Sequence, residues 1–145
     1  MRTVPATPDL IPFLLARMGP ARAAALQALA GGHAEAAIAG NIAASTVTWC
    51  GLDADGVVTM GGILPWPGAG YIWQYVTDVA AHKRDYVLQS RAVVAQGLTQ
   101  YPRLVSIIEP SYPAALRHIR RLGFTVFPPV DFNGHPGCVC ERTRA

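Results

Sequence analysis

Residues 109–124, EPSYPAALRHIRRLGF, constrain this chain more than any other stretch. A residue before proline is pushed out of the helical region, so Glu109-Pro110 reads as the end of a strand. Pro113 suits the first turn of a helix. Leu116, Ile119 and Leu122 then recur at helical spacing among arginines, and Gly123 supplies the stop. A strand end, a turn, an amphipathic helix and a glycine stop in one short run belong to a strand–helix–strand crossover.

The chain has 145 residues, 51% hydrophobic and 14% charged, which is the length and apolar content of one domain over 1–145 with a continuous core. No run of about 18 apolar residues occurs, and Pro5, Pro8 and Asp9 interrupt the start, so a soluble, cytoplasmic protein is expected. Three cysteines make an odd set for disulfides; Cys138 and Cys140, two apart, point the same way from a strand and are read as reduced thiols. The formal charge is +3, with Arg117, Arg120 and Arg121 on the last helix and Arg142 and Arg144 near the end. Such a patch suits a solvated helix face first, and a polyanion, a nucleotide cofactor or an acidic partner second.

Periodicity divides the chain into alternating elements. A first strand is expected over 2–6, then helices opening at Pro8-Asp9, over Ala21–Ala30 and over Glu35–Ala43, punctuated by Gly19-Pro20 and Gly31-Gly32. Val47 and Trp49 alternate with Thr46 and Thr48, Asp53-Ala-Asp-Gly56 is a turn, and Val57–Leu64 completes a hairpin. Pro65, Pro67, Gly68 and Gly70 form a second connection before the strand Tyr71–Thr77. A helix over His82–Gln100, a strand over Leu104–Ile108, the helix Pro113–Leu122 and short strands near Phe124–Phe127 and Gly137–Cys140 follow. The fold class is therefore α/β, a central mixed, mostly antiparallel sheet of about seven strands with helices on both faces.

This element order resembles the GNAT superfamily of N-acetyltransferases, and the 109–124 run resembles its last sequence block, R-P-S-N-x-A-A-x-x-L-Y-x-x-L-G-F. Pro110, Ser111, Ala114, Ala115, Leu122, Gly123 and Phe124 match without a gap. Tyr112 replaces the asparagine, and Ile119 replaces the tyrosine that often serves as general acid. The Leu-Gly-Phe helix end, Pro128-Pro129 and His82-Lys83-Arg84 are similar to a phage-borne group related to podovirus internal virion proteins.

The resemblance implies acetyl-CoA as cosubstrate, its pantetheine along Tyr75, Val76, Thr77 and Asp78 and its pyrophosphate at the next helix start. The family's glycine-rich loop lets backbone approach the phosphates. Here 79–85 reads VAAHKRD without glycine, so His82, Lys83 and Arg84 would supply charge instead. Ordinary basic helix starts have the same composition. Asp78 or Glu109 is the expected base for the substrate amine; each also suits a turn or strand end. Tyr112 is the expected acid, with Tyr75 and Ser111 as neighbours that carry a hydroxyl.

Other constellations carry less. His135, Cys138 and Cys140 place three potential ligands in six residues with no second pair, so no metal is assigned. Gly61-Gly62 and Gly68-x-Gly70 lack a strand-to-helix setting and are read as a weak point in a strand and a turn. No nucleic-acid motif stands out. Trp66, between two prolines, is the aromatic expected at a contact surface with a partner or a second copy. The expected function is an acetyl-CoA-dependent N-acetyltransferase acting on an amine acceptor. The alternative is a non-catalytic, virion-associated structural component of a phage.

Overall fold

The computed structural model describes residues 1–77 and 79–144. Its elements, in chain order, are β1 (Arg2–Val4), α1 (Ile11–Met18), α2 (Pro20–Leu29), α3 (Ala34–Ala44), β2 (Val47–Asp53), β3 (Gly56–Trp66) and β4 (Ala69–Val76). The helix α4 (Lys83–Gln100), β5 (Arg103–Ile108), α5 (Pro113–Arg121), β6 (Thr125–Val126), β7 (Val130–Phe132) and β8 (His135–Thr143) follow. The strands order as β1-β2-β3-β4-β5-β8-β6, with β7 also on β8. β4 and β5 run parallel; β1/β2, β2/β3, β5/β8, β6/β8 and β7/β8 are antiparallel. This is the expected mixed, mostly antiparallel sheet flanked by helices. Among the described residues, no helix is long and apolar enough to cross a membrane.

The chain forms two compact units, Met1–Pro65 with Trp73–Tyr86, and Trp66–Ile72 with the chain from Val87 onward. In the first, Ile11, Leu14, Ile38, Val57, Val58, Met60 and Ile63 are fully buried. The paired glycines of β3 have a packing reason. A Cβ on Gly61 would lie 2.5 Å from the Trp49 ring, and one on Gly62 would lie 2.8 Å from Trp73 Nε1. Both tryptophans are buried, and Trp73 Nε1 donates to Ser45 Oγ at 2.9 Å. The glycines thus make room for two indoles on opposite faces of one strand.

β3 runs on through Pro65 and Trp66, so the connection to β4 is shorter than the sequence suggests. It is a tight turn at Pro67-Gly68, where Gly68 takes φ +67°. Proline followed by a positive-φ glycine is the chemistry of a type II turn. Trp66 remains 46% exposed, its ring centroid 5.2 Å from that of Tyr71.

The helix α2 buries no residue, and its existence rests on alanine propensity and its ends. Gly31 and Gly32 close it, the Gly32 N–H donating to Gln27 O and the Gly31 N–H to Ala28 O, the Schellman pattern. In the second unit α5 ends the same way: Phe124 N–H reaches Ile119 O and Gly123 N–H reaches Arg120 O, with Gly123 at φ +89°. There Ile119 and Phe124 are also buried, which adds the apolar clasp that α2 lacks. Leu104, Val105, Cys138 and Cys140 continue the core of that unit. Burial pushes the Cys140 thiol up to about 11, so it stays protonated and inert at neutral pH.

β7 is an element the sequence reading missed. Asn133 (φ +52°) and Gly134 (φ +86°) form the two-residue turn that pairs Phe132 with His135. Asn-Gly with both φ positive is the strongest short hairpin signal, and it was present in the sequence. β8 accordingly begins at His135 rather than Gly137.

Candidate functional site

The parallel ladder of β4 and β5 is two pairs long, Gly70↔Leu104 and Tyr71↔Val105. On its other edge β5 continues through Ser106↔Cys140, Ile107↔Val139 and Ile108↔Cys138 with β8. Toward β4, the backbone of Ser106–Ile108 therefore has no ladder partner among the described residues. Free backbone donors and acceptors on a strand edge are a template for an extended ligand.

In the first unit, the end of β4 is fixed by Thr77. Its N–H donates to Val58 O at 2.9 Å, and its hydroxyl lies 3.0 Å from Val57 O and 2.9 Å from Val58 O. Thr77 is buried, so its side chain serves the strand and faces no solvent-borne ligand. Its carbonyl accepts a long bond, 3.4 Å, from Arg22 Nη1 on α2. Tyr75 and Val76 are half-buried. The Tyr75 ring sits 5.8 Å from that of Trp73, and burial raises its phenol above the usual range, so it keeps its proton. Asp78, expected as both base and cofactor contact, lies outside the described residues.

A short 3-10 turn, Ala80–His82, leads into α4. Among the described residues of 79–85 none has positive φ, as the absence of glycine requires. An anion there would meet side chains more than a backbone cradle. Lys83 and Arg84 are exposed and make no ion pair among the described residues. His82 is differently placed. Its Nε2 lies 2.7 Å from Asp53 Oδ2, and the same carboxylate accepts from both terminal nitrogens of the Arg17 guanidinium, Nη1 and Nη2, the latter at 2.8 Å. The Asp55 N–H adds a fourth donor at 2.8 Å. Arg17 holds the Asp53 carboxyl well below the usual carboxylate range, with smaller contributions from His82 and the Asp55 amide against the effect of burial. His82 thus ties the start of α4 to the β2/β3 turn. The sequence showed Asp53 only as a turn residue; nothing in it pairs Asp53 with Arg17 or His82, which are 36 and 29 residues away.

Two buried donors, Trp49 Nε1 and Gln74 Nε2, have no partner among the described residues. An unmet buried donor costs about 1–3 kcal/mol. Neither was singled out by sequence, because unmet hydrogen bonds have no local signature.

In the second unit, β5 leads to Glu109, half-buried and without an ion pair among the described residues. Its carbonyl accepts from Tyr112 N–H at 3.1 Å, closing the turn before α5. Tyr112 occupies the N-cap position, makes no side-chain capping bond and is 44% exposed. Ile119, at the place of the family tyrosine, is 8% exposed and part of the core. On the same helix His118 Nε2 lies 3.2 Å from Oγ of the buried Ser90 on α4. Burial, reinforced by Arg121, pushes the His118 imidazole below its usual range. Among the described residues no group of three histidine, cysteine, aspartate or glutamate side chains converges as a metal site.

No protein-family model matches the sequence, and no curated protein matches it. Solved structures do match. The smu.2055 protein from Streptococcus mutans superposes with a TM-score of 0.72 at 11% identity, covering 100% of both chains. The chain has the GNAT fold. A GNAT-superfamily phosphinothricin acetyltransferase from Sinorhizobium meliloti, in complex with acetyl-CoA, gives 0.69 at 14% identity over 98% of this chain and 87% of that one. The aminoglycoside acetyltransferase AAC(6')-Ib, in complex with coenzyme A and kanamycin, gives 0.70 at 13% identity over 98% and 94%. At such identities the likeness concerns the backbone, and side-chain chemistry has to be argued residue by residue.

Proposed function

We propose that this GNAT-fold chain, as a single domain, is an acetyl-CoA-dependent N-acetyltransferase. The observation that carries the reading is the pair of exposed cations Lys83 and Arg84 at the start of the helix after β4, which make no ion pair among the described residues. That is where a nucleotide pyrophosphate would need positive charge in the absence of a glycine loop. Structural neighbours solved with coenzyme A or acetyl-CoA support the same reading. In the proposed reaction an acceptor amine attacks the acetyl carbonyl carbon; the C–N bond forms and the C–S bond breaks. Glu109 or Asp78 takes the amine proton, and the departing thiolate is protonated by Tyr112, with Tyr75 as the alternative phenol. Backbone from Tyr75 to Asp78 pairs with the pantetheine arm. His82 acts by holding the turn through Asp53.

Calorimetry of coenzyme A against Lys83→Ala/Arg84→Ala tests the reading. Affinity is expected to fall at least tenfold, about 1.4 kcal/mol, with the thermal transition unmoved. Unaltered affinity would remove the phosphate site. A second reading, a non-catalytic component of a phage particle, is supported by Trp66 standing exposed on the β3/β4 turn and by buried Ile119 where the family acid would be. It predicts no coenzyme A binding up to millimolar ligand and loss of a partner complex or oligomer in Trp66→Ala.

A further inference from the structure

The second unit has an imbalance of charge that the proposed acetyl transfer does not use. It carries seven arginines and no lysine, against Glu109, Asp131 and Glu141, a net +4 with histidines neutral. The first unit, including Asp78, carries five cations against six carboxylates. Within the second unit the described ion pair is Arg103 with Glu141 at 3.4 Å. Arg117, Arg120 and Arg121 are exposed along one face of α5, turned outward because Ile119 and Leu122 are buried on the other. No acidic residue lies on that helix.

The helix dipole favours cations at its C-terminal end, and that accounts for part of the pattern. It does not account for Arg117 in the middle of the helix, or for what lies beyond the end. Arg142 crosses from β8 and donates from Nη1 to Leu122 O at 2.7 Å. It fits there because Gly123 has no side chain; a Cβ would meet the Arg142 guanidinium at 3.3 to 3.4 Å. Arg144 donates from Nε to Leu98 O at 2.7 Å. A guanidinium has five donor hydrogens, so each keeps others for a ligand. Both arginines line an open groove of about 290 Å³ together with Thr125, Thr143 and Phe127, which is 44% exposed, and with Glu141, whose carboxylate is neutralised by Arg103 at 3.4 Å.

We propose that the arginine face of α5 and this groove bind single-stranded nucleic acid. Planar guanidinium groups and hydroxyls match phosphodiester oxygens, and an exposed phenyl ring in the same groove offers a stacking surface for a base. An acidic peptide would satisfy the arginines and leave the ring unused. A helix of nine residues is about 13 Å long, the span of two or three nucleotides of one strand, and an exposed ring can stack on a base only where that base is free of a duplex stack.

The test is fluorescence anisotropy of a labelled twenty-nucleotide oligo-dT and oligo-U with the full-length protein between 50 and 200 mM salt. Expected is micromolar binding whose logarithm falls with log salt at a slope of about −2, for three neutralised phosphates. Arg117→Ala/Arg120→Ala/Arg121→Ala should weaken it more than tenfold, and Phe127→Ala about tenfold through lost stacking. Both sets are exposed, so unchanged circular dichroism is expected; a single Arg117→Glu serves if the triple variant does not fold. No binding at 50 mM salt overturns the proposal, as does binding indifferent to the arginine variants. Retention of full affinity in Phe127→Ala with equal competition by poly-glutamate also overturns it, in favour of an acidic-peptide surface. Displacement by coenzyme A overturns it too, by assigning the arginines to the cofactor; failure of coenzyme A to bind elsewhere leaves this test unaffected.

Discussion

After β4 the chain is held by polar bonds, and after β5 by apolar packing. The first segment depends on the Thr77 hydroxyl against Val57 and Val58 and on one carboxylate, Asp53, that gathers Arg17, His82 and the Asp55 amide. The second depends on Ile119, Leu122 and Phe124 clasped around the Gly123 stop. Hydrogen-bonded ion pairs fix direction but respond to pH; buried apolar area is nearly indifferent to it. The two segments are thus built to tolerate different insults. In each, the charged side chains expected to do chemistry, Lys83 and Arg84 in the first and Glu109 in the second, make no ion pair among the described residues.

The largest way to disturb the first segment is through the strand beneath it. Gly61→Ala places a methyl group 2.5 and 2.6 Å from Trp49 ring atoms and 2.7 Å from the Trp73 carbonyl oxygen. Overpacking of this kind costs about 1–3 kcal/mol, and urea unfolding should show a lower midpoint with an unchanged slope. An unchanged midpoint would mean the β2–β4 strands are looser than the packing implies.

The matching change in the second segment is Ile119→Tyr, which introduces a phenol at a position 8% exposed. The larger side chain should cost about 1 kcal/mol, less than Gly61→Ala because a surface helix can yield outward. A stabilised variant in the same urea experiment would show that the position opens onto a cleft instead of the core.

Acid sharpens the contrast further. The Asp53 carboxyl is held below its ordinary value, so its contribution is complete above about pH 4 and is lost as pH falls below it. Asp53→Asn should lower the thermal midpoint at neutral pH and flatten its acid dependence below about pH 4. An equally steep acid slope in the variant would place the acid sensitivity elsewhere.

The smallest expected effect lies in the second segment. His118 is pushed below its usual range, so the unfolded chain takes up its proton first as pH falls. Stability should decline from about pH 6.5 downward, the ordinary imidazole value, and level off once the folded imidazole is also protonated. Nuclear magnetic resonance titration of the His118 ring checks this, and a midpoint at or above the ordinary value would contradict it.

Much of the fold was legible because its signals are local. Gly123 after an amphipathic run, Asp53-Ala-Asp-Gly56 between alternating strands and Gly31-Gly32 after alanines each state a helix end or a turn within a few residues. β7 was missed although Asn133-Gly134 announced it, since its three residues are too few to show alternation. Of the candidate site, the cations at 83 and 84 and the carboxylate at 109 were placed by the resemblance to the GNAT element order. The side-chain partners of Asp53 could not be read from the sequence, because they lie 36 and 29 residues away.

By itself the sequence determined the order of elements, the outward arginine face of α5 and the absence of a glycine cradle before α4, all properties of spacing and backbone freedom. The tertiary structure alone decided that His82 serves Asp53, that Gly61 and Gly62 house two indoles, and that among the described residues β4 and β5 pair at Gly70↔Leu104 and Tyr71↔Val105. The reason is one of range. Propensity and periodicity act over a turn or two, whereas a hydrogen bond, a packed ring and a strand edge are settled by residues that folding brings together from 10 to 40 or so positions apart.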